Sequence, residues 1–82
     1  MILVELYFQE LNQEYDVNLD ETLPVSSVID SLVELIAQKE HMTLAKKTGL
    51  FLLCNAEKRR ILHPQTTLAE NGIRSGHRLL LL

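Results

Sequence analysis

The chain has 82 residues, with one cysteine, Cys54, and no tryptophan. A single cysteine excludes an intrachain disulfide, and it agrees with a reducing compartment. No apolar run approaches the ~20 residues that a membrane-spanning helix needs, so membrane insertion is not expected. The segment 2–8 carries Glu5 and lacks the basic start of a signal peptide. We therefore expect a cytoplasmic protein.

Patterns that are typical of catalytic or metal sites are also scarce. His41, His63 and His77 lie on three different predicted elements, without the close spacing of metal ligands. Cys54 follows an apolar run and has no neighbouring base, which favours a packed thiol over a nucleophile. The three glycines stand apart in predicted turns and form no phosphate-binding loop. We expect no enzymatic activity, no metal, no cofactor and no small-molecule substrate.

Charge is divided unevenly along the chain. The formal net charge is −3, from 8 basic and 11 acidic residues. Nine of the acidic residues precede Lys46, and seven of the basic residues lie from Lys46 onward. The negative net charge disfavours general nucleic-acid binding, which needs a cationic surface. The basic run 58–60, together with Lys46 and Lys47, predicts either a solvated hairpin tip or a basic rim for an acidic partner or an anionic membrane surface.

Apolar residues make up 46% of the chain, enough for one core without disulfides or metal, and we expect a single domain over 1–82. The segment 24–39 predicts the one long helix, because its apolar residues recur on one stripe at ~100° per residue. Pro24 suits the first turn, where its missing N–H costs nothing. The predicted stripe consists of Val25, Val28, Ile29, Leu32, Val33, Leu35 and Ile36.

The flanking segments predict strands. Residues 2–8 and 14–19 alternate with period two, which indicates an antiparallel hairpin with one buried face. After the helix, the apolar run 50–54 predicts a third strand, 61–62 a short fourth strand, and 78–82 the last strand.

Two connecting segments complete the predicted order. Residues 43–48 form a polar connector that ends at Gly49, and residues 67–73 predict one helical turn stopped by Asn71-Gly72. The order β-β-α-β-β-(short helical turn)-β indicates an α+β fold, in which a mixed sheet packs on one long helix.

This order resembles the ubiquitin-like β-grasp fold. The similarity is sharpest in the segment 67–73, which reads TLAENGI, followed by Gly76. Within that superfamily the chain resembles the YukD/EsaB-like proteins of bacterial type VII secretion, in its length, its Pro24-Val25 helix entry and its Asn-Gly-Ile…Gly…Leu ending. The resemblance covers nearly the whole chain. It implies an accessory or regulatory protein of that secretion system, acting by protein–protein contact.

The C-terminal residues bear on conjugation chemistry. Ubiquitin-type modifiers and sulfur carriers need a flexible tail that ends in Gly-Gly, whereas this chain ends at Leu82 within a predicted strand. We therefore expect a non-conjugating protein. Two alternatives stay open: a modifier or sulfur-carrier-like protein with an atypical C-terminus, and a β-grasp nucleic-acid-binding module that uses the basic second half.

The last strand holds more leucines than one sheet face can bury. If Leu79 and Leu81 face the helix, Leu80 and Leu82 point outward, and the run 50–54 has a similar surplus. Contiguous exposed apolar surface usually marks a contact site. Ubiquitin uses its corresponding face for recognition, so the fold analogy indicates the same surface.

The sequence therefore predicts a protein-binding site on the outer sides of these strands. Its predicted residues are Leu52, Leu80 and Leu82, rimmed by Arg60 and Arg78. Three occupants stay open: a protein partner such as a membrane component of the type VII system, a second copy of the chain in a homodimer, or the connector 43–48.

Overall fold

The computed structural model describes residues 1–43 and 50–82. The strands are β1 (Ile2–Phe8), β2 (Gln13–Leu19), β3 (Leu53–Asn55), β4 (Arg60–Ile61) and β5 (Arg78–Leu81), and the helix α1 is Val25–Lys39. The element order agrees with the prediction from sequence. Apart from Thr43, the predicted polar connector and Gly49 lie outside the described residues.

The five strands form one mixed sheet in the order β2-β1-β5-β3-β4. β1 and β2 pair antiparallel, from Ile2 opposite Leu19 to Phe8 opposite Gln13. β5 lies in the middle, parallel to β1 and antiparallel to β3. The last strand therefore joins the N-terminal hairpin to the β3–β4 hairpin. One helix packed on such a sheet is the predicted β-grasp architecture of the α+β class.

The helix supplies one side of the core and is anchored by a later loop. The Val25 N–H donates to the Thr66 carbonyl at 2.7 Å, and the Ser26 N–H donates to the Pro64 carbonyl at 3.0 Å. These bonds satisfy donors that the first helical turn leaves free. Six of the seven predicted stripe residues are buried, but the prediction for Leu35 was wrong, because it is 48% exposed. Leu35 lies at the margin of the stripe, about 90° from its centre.

The second half of the chain differs from the prediction in its strand bounds. β3 begins at Leu53 rather than at residue 50, and β4 begins one residue earlier than expected. Leu52 nevertheless exchanges two backbone hydrogen bonds with Leu82, at 3.1 and 2.9 Å, so pairing continues beyond the regular strands. In the segment 67–73 the Asn71 N–H donates to the Thr67 carbonyl at 3.2 Å, which closes the single helical turn that was predicted. Gly72 ends this turn in the left-handed region, with φ 71°.

Tyr15 ties β2 to the end of α1. Its phenol donates to Glu40 Oε2 at 2.9 Å, and the Lys39 ammonium lies 5.3 Å from the centre of its ring. The ring itself belongs to the core. Burial, together with the hydrogen bond to Glu40, raises the pKa of Tyr15 to about 12.

We expect the free energy of unfolding to fall as the pH rises from about 10 to about 12. Because the folded pKa is raised, the unfolded state loses this proton first, so the contribution is complete below the unfolded pKa and disappears toward the folded one. Urea denaturation of the wild type and of Tyr15→Phe across this range measures the effect. The wild type should lose more stability than the variant, and equal losses would contradict the assignment.

Candidate interaction face

The sheet has one face on α1 and a second face turned away from it, called here the outer face. In β5 the alternation divides the leucines between the two faces. Leu79 and Leu81 are fully buried, whereas Leu80 and Leu82 are only partly buried. The outer face of β5 is therefore apolar and accessible, as the alternation predicts.

Strand register places the outer-face side chains in a row across four strands. Tyr7 pairs with Leu80, Leu80 with Cys54, and Cys54 with Ile61. Residues that oppose one another in a sheet point to the same face and contact each other. The apolar row therefore runs from β1 through β5 and β3 to β4.

Leu52 and Leu82 extend this row beyond the regular strands. Their mutual backbone hydrogen bonds place them opposite each other, one step past the Leu53–Leu81 pair. Leu52 is 42% exposed and Ile61 is 62% exposed. We call Leu52, Cys54, Ile61, Leu80 and Leu82 the apolar cluster. Accessible apolar side chains grouped in this way are typical of a contact site.

A concavity of about 420 Å³ opens within the apolar cluster. It is lined by Cys54, Asn55, Ala56, Arg59, Ile61, Leu80 and Leu82. Aliphatic and thiol groups make up most of this lining, and Arg59 is the cationic residue at its border. Such a depression fits an apolar side chain of a protein partner better than a highly charged ligand.

Arg60, predicted as part of the rim, does not lie with the apolar cluster. Arg60 pairs with Asn55, and Asn55 pairs with Leu79, which belongs to the core. By this register Arg60 points to the helix side of the sheet edge. Its neighbour Arg59 lines the concavity instead. One arginine of the run 58–60 therefore borders the concavity, and it is Arg59 and not Arg60.

Arg78 does lie on the outer face, but its side chain is already paired with Glu5. Its Nε and Nη2 donate to Glu5 Oε2 at 3.1 and 3.0 Å, and the two residues pair in register. Its backbone N–H donates to Glu57 Oε1 at 2.9 Å. Both side chains of the ion pair are 54% exposed, so the pair adds little to stability. Its main effect is to neutralise Arg78.

Three members of the site were not among the predicted contact residues: Cys54, Ile61 and Arg59. Cys54 points to the outer face but is only 6% exposed, because Leu80 and Ile61 flank it. Burial raises the pKa of the Cys54 thiol, as expected for a packed rather than a reactive cysteine. The face of Ile61 follows from pairing with β3, and Arg59 adopts φ 54°. Neither feature has a signature in the sequence.

The opposite side of the outer face is acidic. Glu14 and Asp16 are exposed on β2, opposite Tyr7 and Glu5. The outer face therefore changes from acidic at β2, through apolar at β5 and β3, to basic at Arg59 beside β4. Within the described part of the chain, no three histidine, cysteine or carboxylate side chains are grouped as metal ligands. No helix there is long and apolar enough to cross a membrane.

The architecture and this face define the class of the protein: it has the ubiquitin-like fold. The family model of YukD, a protein of the WXG100 protein secretion system (Wss), matches residues 4–81. The chain belongs to the YukD family, which confirms the family predicted from sequence. No curated protein matches the chain.

Solved structures agree with this assignment. The ubiquitin-like domain of EccD5 from Mycobacterium xenopi is 26% identical, with a TM-score of 0.77, and the match covers 99% of this chain and 91% of that one. A ubiquitin-like domain from Arabidopsis thaliana is 18% identical, with a TM-score of 0.72, covering 99% and 74%.

A chain of the MycP5-free ESX-5 inner membrane complex is also similar. It is 23% identical, with a TM-score of 0.77, and the match covers 99% of this chain but only 20% of that one. The match thus spans about a fifth of that chain's length. This likeness shows the shared fold.

Proposed function

We propose that the chain is a non-conjugating, non-enzymatic interaction module, an accessory or regulatory component of a bacterial type VII secretion system. Residues 1–82 act as one cytoplasmic ubiquitin-like domain, and the outer face is the contact surface. The observation that carries the proposal is the accessible apolar cluster with its concavity on that face. Membership of the YukD family supports the place in secretion.

The partner that we propose is a membrane component of the secretion system. In the ESX-5 inner membrane complex, a ubiquitin-like region makes up about a fifth of one chain. The same fold is therefore used within an assembly of that kind. Leu80 and Leu82 make the central contacts, and Leu52 extends them. Arg59 replaces Arg60 as the basic border.

Leu80→Asp should abolish capture of the membrane component while the domain stays folded. Leu80 is only partly buried, so an aspartate there remains hydrated, but it places a charge in the middle of the apolar contact. Leu35→Asp is the matched control, because Leu35 is 48% exposed on the helix, away from the outer face. Each variant is tested pairwise against the membrane proteins of the type VII secretion system of the same organism.

The expected result is loss of capture by Leu80→Asp alone, with both variants melting close to the wild type. A collapsed Leu80→Asp domain would show that Leu80 belongs to the core. Capture by both variants, or by neither, would remove the outer face from the proposed contact.

A further inference from the structure

We infer that the free edge of β2 binds an extended, basic segment of another protein as an additional antiparallel strand. This second binding site is separate from the apolar cluster and goes beyond the function proposed above. The strand order, the direction of the β2 backbone groups and the charge beside them support this assignment.

The backbone groups of β1 divide between its two neighbouring strands. The Glu5 N–H donates to the His77 carbonyl at 3.0 Å, and the Leu3 carbonyl accepts from the Gly76 N–H at 2.8 Å. Both bonds lie on the β5 side of β1. Because backbone groups alternate sides along a strand, the even-numbered residues of β1 bond toward β2.

This alternation shows which backbone groups of β2 face its free edge. Leu6 bonds toward β2 and pairs with Tyr15, so the Tyr15 N–H and carbonyl are satisfied by β1. The N–H and carbonyl groups of Glu14, Asp16 and Asn18 therefore point the other way, and β2 is the last strand of the sheet on that side. Within the described residues, no hydrogen bond satisfies these three donors and three acceptors.

The edge of β2 lacks the usual devices that block strand pairing. Its seven residues pair one to one with β1, so no bulge bends it out of line. It contains neither proline nor lysine, the residues that most often protect an exposed edge. The opposite edge of the sheet is β4, which has only two residues. The β2 edge is therefore the longer template for an added strand.

The charge beside this edge selects a basic occupant. Glu14 and Asp16 are exposed, and neither has an ion pair in the described part of the chain. Together with Glu5 and Tyr15, they line a concavity of about 300 Å³. Side chains directly opposite each other on paired strands lie on the same face, where opposite charges attract. An added strand with lysine or arginine opposite both Glu14 and Asp16 therefore fits.

The residue between the two basic positions should be apolar. It opposes Tyr15 and points to the helix side of the sheet. Tyr15 and Val17 are 8% and 5% exposed, whereas Val4 and Leu6 on β1 are 1% and 0% exposed. An apolar side chain of the added strand would cover the surface that remains accessible on the helix side of β2. The occupant therefore has the alternating pattern basic-apolar-basic.

The same charges oppose a second copy of the chain at this edge. Two β2 strands that pair antiparallel about Asp16 would place Asp16 opposite Asp16. A shift of two residues in one direction would place Glu14 opposite Asp16, and a shift in the other direction would place Glu14 opposite Asp20. Like charges directly opposite each other are destabilising. The edge therefore favours a basic strand over its own copy.

Hydrogen exchange of the full chain, measured by NMR, tests the site with the blocked peptide Thr-Val-Lys-Val-Lys-Thr. Its two lysines oppose Asp16 and Glu14 when it pairs antiparallel with β2. Without peptide, the amides of Glu14, Asp16 and Asn18 should exchange faster than those of Tyr15 and Val17. Saturating peptide should slow the exchange of the first three amides. The peptide Thr-Val-Glu-Val-Glu-Thr should leave their exchange unchanged.

Methylated peptides separate strand pairing from simple attraction between charges. N-methylation of the two lysine amides removes donors that face β2, so it should abolish the protection although both charges remain. N-methylation of the two valine amides, which point away from β2, is the matched control and should preserve the protection. Equal binding of the two methylated peptides would overturn the inference, because charge alone would then account for it.

Charge reversal in the protein tests the proposed contacts from the other side. Glu14→Lys combined with Asp16→Lys should weaken binding of the lysine peptide about tenfold or more, and this variant should bind the glutamate peptide instead. Asp30→Lys combined with Glu34→Lys makes the same change in net charge at exposed positions of α1 and should bind like the wild type. Equal weakening in both double variants would overturn the inference.

The outcomes are independent of the proposed function. Leu80→Asp should bind the lysine peptide like the wild type, because β5 lies two strands away from β2. Capture of a secretion component through Leu80, without any protection by the peptide, would remove the edge site and leave the proposed function standing. Protection of the three edge amides that rises with protein concentration alone would assign the edge to a second copy and overturn the inference.

Discussion

Leu79→Ala should lower the free energy of unfolding by about 2–5 kcal/mol, whereas Leu80→Ala, one residue later, should lower it by about 1 kcal/mol or less. Leu79 is fully buried between the sheet and α1, so its truncation leaves a cavity that the core cannot fill. Leu80 points to the outer face and is partly hydrated already. Urea denaturation of both variants, monitored by circular dichroism, measures the difference.

This pair of leucines tests whether alternate residues of β5 belong to the core and to the outer face. The two variants have the same change in side chain on the same strand, and each residue pairs with β1 on one side and β3 on the other, so each controls for the other. Equal losses of stability would mean that the outer face is as closely packed as the core.

Asn55→Ala should lower the free energy of unfolding by about 1–3 kcal/mol. The Asn55 side-chain oxygen accepts from the backbone N–H groups of Glu57 and Lys58, at 3.0 and 3.2 Å. Its removal leaves both donors without this acceptor at the start of the hairpin turn, in a residue that is only 6% exposed. Asn55→Asp keeps an oxygen in the same place and is the matched control.

The loss should extend from stability to capture of the membrane component, because this turn positions Arg59. Denaturation curves give the first effect, and the pairwise capture assay gives the second. Asn55→Asp should retain more of both. An alanine variant as stable as the wild type would show that water replaces the Asn55 oxygen without cost.

Long periodic segments made the first half of the fold predictable. Residues 2–8 alternate over seven positions, and β1 has those bounds. The helix likewise extends from Val25 to Lys39, so it begins one residue later than predicted. The error at Leu35 arose because periodicity gives the centre of an apolar stripe more accurately than its margin.

The second half was less predictable because its strands are too short to show a period. β3 has three residues and β4 has two, so their bounds depend on pairing with β5 and with each other. The same limit explains why the sequence analysis predicted Arg60 at the border of the site, where the structure has Arg59. Which arginine reaches the outer face depends on the turn between the strands, and Arg59 adopts a positive φ there. Leu80 and Leu82 were identified because the chain has four consecutive leucines at 79–82, and one face of a strand can bury only alternate residues.

The central position of β5 has a consequence for the kinetics of folding. Until this strand docks, the β1–β2 hairpin and the β3–β4 hairpin share no backbone hydrogen bond in the sheet. Its docking brings together Glu5 and Arg78, which are 73 positions apart. Closing so long a loop costs entropy before any contact offsets it, and folds rich in distant pairings fold slowly for this reason. The rate of folding should therefore respond more strongly to substitutions that weaken the docking of β5 than to equal losses of stability within the first hairpin.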